Sequence, residues 1–191
     1  MRVALFFDGS NFYHSMRSED LRIDYDRLAR FLVTSVAGTH LARAEYHVSV
    51  PLATPSTMDN FLRGLSMRAG FFVYRYPRVT RSAKCRACDA GVVYTLEKQV
   101  DTSITASMIK LAAVNAYDIA VVVSGDQDFI PGIIAVGDLG KTVYVATWSH
   151  EELSIQMRQH CYGHIVIKEH VDEFRAMDNR LSVPIVSVDG S

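Results

Sequence analysis

Apolar residues follow two rhythms along the chain. Short β-branched and aromatic runs predict strands at residues 3–7, 44–50, 71–76, 119–124, 142–147 and 165–168. Between them, apolar positions recur every three or four residues, which predicts helices at about 25–36, 56–69, 100–116, 129–139 and 151–159. Asp24, just ahead of Tyr25, Leu28, Phe31 and Leu32, marks one helix start, and Thr54-Pro55 marks another. Gly70 and Gly140 read as helix stops.

Two of the strands, Ile119-Ala120-Val121-Val122-Val123 and Thr142-Val143-Tyr144-Val145-Ala146, are apolar almost without interruption. Such runs suit central strands of a parallel sheet covered on both faces, and strands alternating with helices then give an α/β sandwich. In open parallel sheets, ligands bind beyond the carboxyl ends of the strands, near the point where strand order reverses. The residues that follow each strand therefore carry the functional signal.

Composition narrows the classes. With 191 residues, 49% hydrophobic and 21% charged, the chain has the make-up of one globular domain. No apolar run approaches the ~20 residues of a membrane span. The first apolar run stops at Asp8 and reads as a strand, not a secretion signal, so a cytoplasmic location is expected. Three cysteines, Cys85, Cys88 and Cys161, argue against a disulfide framework. A net charge of −1 excludes binding of polyanions by bulk charge and requires a local patch instead. The expected organisation is a domain over 1–175, with a basic loop and cysteine pair at 78–92, and a C-terminal tail at 176–191 with little periodicity.

Acidic residues gather at the strand ends. The first strand runs into Asp8-Gly9-Ser10-Asn11, and the strand at 119–124 into Gly125-Asp126-Gln127-Asp128-Phe129. The glycines at 9 and 125 are read as permitting sharp turns. Carboxylates brought together in a cleft repel one another unless a cation is present, and oxygen donors of this kind suit Mg²⁺ or Mn²⁺. Asn11 offers an uncharged hydrogen-bonding group beside them. Asp128 reads equally as a cap for the helix expected at Phe129. Asp101, at the start of the helix marked by Val100, Ile104, Met108 and Leu111, is by its local sequence a favourable charge for the helix dipole.

Three segments, Phe7-Asp8-Gly9-Ser10-Asn11, Glu97-Lys98-Gln99-Val100-Asp101 and Ser124-Gly125-Asp126-Gln127-Asp128-Phe129 with Pro131, resemble in order and spacing the NYN or LabA-like branch of the PIN-like nucleases. The resemblance covers about residues 2–170. It implies a Rossmann-like three-layer α/β/α sandwich with a central, mainly parallel sheet, a divalent-metal site and RNA as the usual substrate. Carried over by position, Asp8, Asp101, Asp126 and Asp128 match the acidic residues and Asn11 the asparagine of the first motif. Ser107 departs from the pattern, because many members carry an Asp there. That departure marks either a branch feature, with Glu97 compensating, or weakened catalysis.

A basic stretch supplies the expected substrate contact. Arg75, Arg78, Arg81, Lys84 and Arg86, with Tyr74 and Tyr76, occur without an acid between them; Lys98 is a further phosphate-contact candidate. Arginines neutralise phosphates and tyrosines stack on unpaired bases, although Tyr74 and Tyr76 share one strand face and read equally as buried. Cys85 and Cys88 have half the spacing of a zinc site, with His160, Cys161 and His164 as candidates to complete it and a partner subunit as the alternative. The function expected is hydrolysis of single-stranded RNA by a Mg²⁺- or Mn²⁺-dependent ribonuclease. The alternatives are a catalytically weak or inactive RNA-binding module of the same fold, and an α/β protein binding a nucleotide or sugar phosphate. A homo-oligomer is compatible with the sequence.

Overall fold

The computed structural model describes residues 1–16, 19, 21–85, 88, 91–96 and 99–176. Six strands form the central sheet: β1 (Arg2–Asp8), β2 (His40–Val50), β3 (Phe71–Pro77), β6 (Ile119–Val123), β7 (Thr142–Thr147) and β8 (Gly163–Val166). Their order is β3-β2-β1-β6-β7-β8, and every pairing is parallel. The chain winds outward from β1 to β3 and then crosses back to β6, so strand order reverses between β1 and β6. That is the switch point at which an open parallel sheet binds ligands.

Period-two alternation divides the core into the two sides of the sheet. Val3, Leu5 and Phe7 of β1, with Val121 and Val123 of β6, pack against α1 (Gly9–Met16), α2 (Tyr25–Ser35), α3 (Ser56–Ser66) and α7 (Val171–Phe174). Ala4, Phe6, Ala120 and Val122 face α4 (Val100–Ala113), α5 (Ile130–Asp138) and α6 (Ile155–His160). Two covered faces explain why these strands are apolar throughout, and the result is the expected three-layer α/β/α sandwich. The Asp24 side chain caps α2 by accepting from the backbone N–H groups of Asp26 and Arg27. No described helix is long and apolar enough to cross a membrane.

Several elements differ from expectation for local reasons. Residues after Asp8 form a two-turn helix, α1, whose apolar positions Phe12 and Met16 are too few to register as a period. The stretch expected as a basic loop is an antiparallel ribbon of β4 (Val79–Lys84) and β5 (Gly91–Leu96). Helix α3 stops at Ser66, short of Gly70, and Thr54 does not cap it: its hydroxyl donates instead to the Pro51 carbonyl. The last expected helix is split into a 3₁₀ turn at His150–Glu152 and the short α6, because Ser154 caps a new start through Met157 N–H. The final strand ends at Val166 and continues as a 3₁₀ turn. The tail from 177 onward lies outside the described residues.

Gly9 and Gly125 do not serve left-handed turns; positive φ occurs at Gly70 and Gly140. Close approach demands them instead. A Cβ at Gly9 would lie 2.5 Å from the Tyr46 ring and 2.9 Å from the His47 carbonyl oxygen, and one at Gly125 would collide with the Glu152 carbonyl. Gly125→Ala is therefore expected to destabilise the protein by about 1–3 kcal/mol. Gly64→Ala, in α3 with nothing within 4 Å of the added carbon, is expected to be neutral or stabilising by about 0.5–1 kcal/mol. Urea unfolding of the two variants measures the contrast.

Candidate active site

Asp8 is the last residue of β1, buried to 5% exposure after five residues, Val3 to Phe7, that alternate between the two cores. Its Oδ1 accepts the Asn11 N–H at 3.0 Å and so begins α1. Phe7 is in register with Val123 of β6, which puts Asp8 one residue past that pair and Asp126 three residues past it, on the adjacent strand. The Asp126 carboxylate accepts the Asp128 N–H at 3.0 Å, and the Asp126 N–H donates to Ser124 Oγ at 3.2 Å. The cap of the turn Gln127–Phe129 is thus Asp126, not Asp128, which stands exposed within that turn. A carboxylate has two oxygens, so capping with one is compatible with ligating through the other.

Asp101 lies in the first turn of α4, half-buried. The direction of α4 is fixed by its contacts. Ser103 meets Tyr76, near the end of β3, whereas the Met108 carbonyl meets the Tyr117 hydroxyl ahead of β6. The N-terminal turn of α4 therefore overlies the carboxyl edge, the same edge as Asp8 and Asp126. Among the described residues, no three His, Cys, Asp or Glu side chains form a group able to hold a metal ion by themselves. The donor chemistry nonetheless suits a hard cation of the Mg²⁺ type, which is commonly held by one or two carboxylates with waters and substrate phosphate completing the shell. A second observation at the same place is Ser10 Oγ, buried in the first turn of α1 without a hydrogen-bond partner among the described residues.

A buried polar network adjoins this edge, and sequence reasoning missed it. Glu45 and His47 of β2 are each 1% exposed, on the α4 side of the sheet, with His47 in register with Asp8. The Glu45 carboxylate accepts from Arg43 Nε and from His47 Nε2 at 3.1 Å. His47 Nδ1 is hydrogen-bonded to the Tyr76 hydroxyl, 3.1 Å away, and that hydroxyl is in a close hydrogen bond with Ser103. The Tyr74 ring stacks on His47 with centroids 4.6 Å apart, and its hydroxyl bonds Arg43. Burial alone would raise the Glu45 carboxyl, but hydrogen bonds from His47, Ser107 and Arg43 outweigh it and hold the group below the ordinary carboxylate range. The signal was available: polar residues at 45, 47 and 49 in a strand covered on both faces.

Of the other candidates, Arg75 is held by Asp59 of α3 at 2.5 Å and is committed to that pair. Tyr74 and Tyr76, both part-buried, are hydrogen-bonded into this network. Arg78, half-buried, leads into the ribbon, which carries Arg81 and Lys84, both exposed. Arg86, Glu97 and Lys98 lie outside the described residues. Cys85 and Cys88 follow β4, whereas His160, Cys161 and His164 flank or lie in β8, and among the described residues these do not form a metal-holding group. Thr147, 2% exposed, donates to the Ser149 carbonyl and closes a turn.

The NYN domain model matches residues 2–168, and the chain belongs to that family, a PIN-like nuclease family. Among solved structures it is similar to a protein of unknown function, VPA0982, from Vibrio parahaemolyticus RIMD 2210633. The two are 22% identical over 92% of this chain and 96% of that one, with a TM-score of 0.63, a likeness of fold alone. No curated protein matches the chain.

Because the Glu45 carboxyl is held low, it stabilises the fold above the ordinary value of 4.5, and that contribution is lost as pH falls through the lowered folded value. Wild-type stability is expected to drop on acidification below pH 4.5, whereas Glu45→Gln starts lower at neutral pH and loses less over the same acid range. Chemical denaturation across that range measures both slopes.

Proposed function

We propose that the chain is a Mg²⁺- or Mn²⁺-dependent ribonuclease that hydrolyses single-stranded RNA at the carboxyl edge between β1 and β6. One observation carries the reading: a buried carboxylate, Asp8, ends β1 at the switch point, with Asp126 following the adjacent strand. Asp8 and Asp126 would hold the cation, with Asp101 facing them from α4 and Asp128 at the exposed rim. A divalent ion there supplies Lewis-acid polarisation of the scissile phosphate and of an attacking water. The Ser10 hydroxyl and the Asn11 side chain, in the first turn of α1, donate to phosphate oxygens and orient the strand.

The β4–β5 ribbon leaves the body from the same edge, since β3 ends at Pro77 and α4 begins at Val100. Arg81 and Tyr94 are cross-strand partners on one face of it; both are exposed, and neither has a partner among the described residues. That pairing suits one nucleotide step, with the guanidinium on the phosphate and the phenol ring on the base. Lys84, Arg78 and, outside the described residues, Arg86 and Lys98 add to the positive field.

The alternative, an RNA-binding module with little or no catalysis, is favoured by one observation: no three-ligand group forms among the described residues. Incubation of labelled single-stranded RNA with Mn²⁺ decides between the two. Cleavage by the wild type that falls at least about a hundredfold in Asp126→Asn supports the nuclease; binding without cleavage supports the module, and equal cleavage by both points to a contaminant. Tyr94→Ala is expected to raise KM for the RNA about tenfold with kcat retained. Arg81→Ala is expected to weaken binding and lower the salt dependence by about one charge, measured by binding titrations at several ionic strengths.

A further inference from the structure

We infer that Glu45 and His47 are positioning residues: a buried polar clamp that holds the first turns of α4, and with them Asp101, in place over the Asp8 carboxylate. The inference rests on the metal-centre reading and assigns the part of it that the acidic residues leave unexplained, namely what keeps a helix-borne carboxylate in register with a strand-borne one.

Elsewhere on this side of the sheet, α4 meets Ala4, Phe6, Ala120 and Val122 through Val100, Ile104 and Met108. Apolar contacts of this kind hold a helix down but are non-directional, so they limit sliding poorly. Hydrogen bonds are directional and fix register. The clamp supplies one such chain, from Ser103 through Tyr76 to His47 and on to Glu45, and the pull of Ser107 on the Glu45 carboxyl reinforces it from the next turn of α4. Ser103 and Ser107 are four residues apart, one above the other on the same helix face. Asp101 lies two residues before the first of them, and His47 is the register neighbour of Asp8. His47 thus borders Asp8 and is linked through Tyr76 to the helix that carries Asp101.

The protein engages both Glu45 oxygens, with Arg43 and Tyr74 at Oε1 and His47 at Oε2. Burying such a pair is costly compared with apolar residues of equal volume, and one use of a buried polar pair is to specify geometry.

The full-length protein tests this with Ser103→Ala and Tyr76→Phe, each of which removes one hydroxyl of the outer link, and with Ser103→Thr, which keeps it. Circular dichroism and thermal melts confirm folding. Three readouts follow: Mn²⁺ affinity by electron paramagnetic resonance, hydrogen exchange of the amides at 100–103, and kcat and KM on single-stranded RNA. Ser103→Ala and Tyr76→Phe are expected to weaken Mn²⁺ binding by about tenfold. They should also speed exchange at 100–103 and lower kcat with KM retained, while Ser103→Thr behaves as wild type. Wild-type Mn²⁺ affinity and exchange in both hydroxyl-deleted variants overturn the clamp, as does Ser103→Thr being impaired as badly as Ser103→Ala. If the wild type itself binds no Mn²⁺, the metal-centre reading fails separately, and the exchange rates alone decide: faster exchange in Ser103→Ala with rescue by Ser103→Thr upholds the clamp, and unchanged exchange removes it.

Discussion

Burial of β1 and β6 on both faces is the constraint from which the rest of the molecule follows. A strand enclosed between two helical layers has no side on which a polar residue meets water, so polar chemistry must wait until the strand ends. Asp8 is the first charged residue after the fully enclosed run of β1, and Ser124-Gly125-Asp126 follows immediately on the enclosed run of β6. Because strand order reverses between these two strands, the helices on either side diverge there and leave the edge open. The fold thus concentrates negative charge at the one point on the edge where a ligand can approach the middle of the sheet.

Strand β2 departs from this rule on one face only. Its even positions Ala44, Tyr46 and Val48 join the core with α2 and α3, while Glu45, His47 and Ser49 face α4 and are buried all the same. Buried polar groups are tolerated where they satisfy one another, and Glu45 and His47 do so with Arg43, Tyr74 and Tyr76, the last bonded to Ser103 of α4. The polar stripe places a directional attachment between sheet and helix next to the acidic edge. Chemistry and scaffold are linked through neighbouring strand positions, 8 and 47.

The sheet was legible because each central strand is a continuous apolar run, and the acidic edge was legible because Asp8, Asp126 and Asp128 follow such runs directly. Asp101 was legible only through its motif: on local grounds a first-turn aspartate is an ordinary dipole partner. Relations between distant residues were hidden. Arg75 reads in the sequence as a phosphate contact, and its pairing with Asp59, sixteen residues earlier, is visible only in the fold. Tyr74 and Tyr76 satisfy Arg43 and His47, groups whose proximity depends on the β2–β3 register. The ribbon was hidden because its apolar residues, Val92, Val93 and Tyr94, are exposed, so no periodic core face marked them. The glycines at 9 and 125 were recognised as necessary for the wrong reason: tertiary closeness to Tyr46 and Glu152, not backbone sign, excludes a side chain there.

The most direct test of the central claim is anomalous diffraction from crystals of the wild-type protein soaked in Mn²⁺. The account predicts a peak at the carboxyl edge about 2.0–2.2 Å from oxygens of both Asp8 and Asp126, absent in Asp8→Asn crystals. A peak bound elsewhere, or an edge that stays empty at saturating Mn²⁺ in the presence of an RNA fragment, would contradict it.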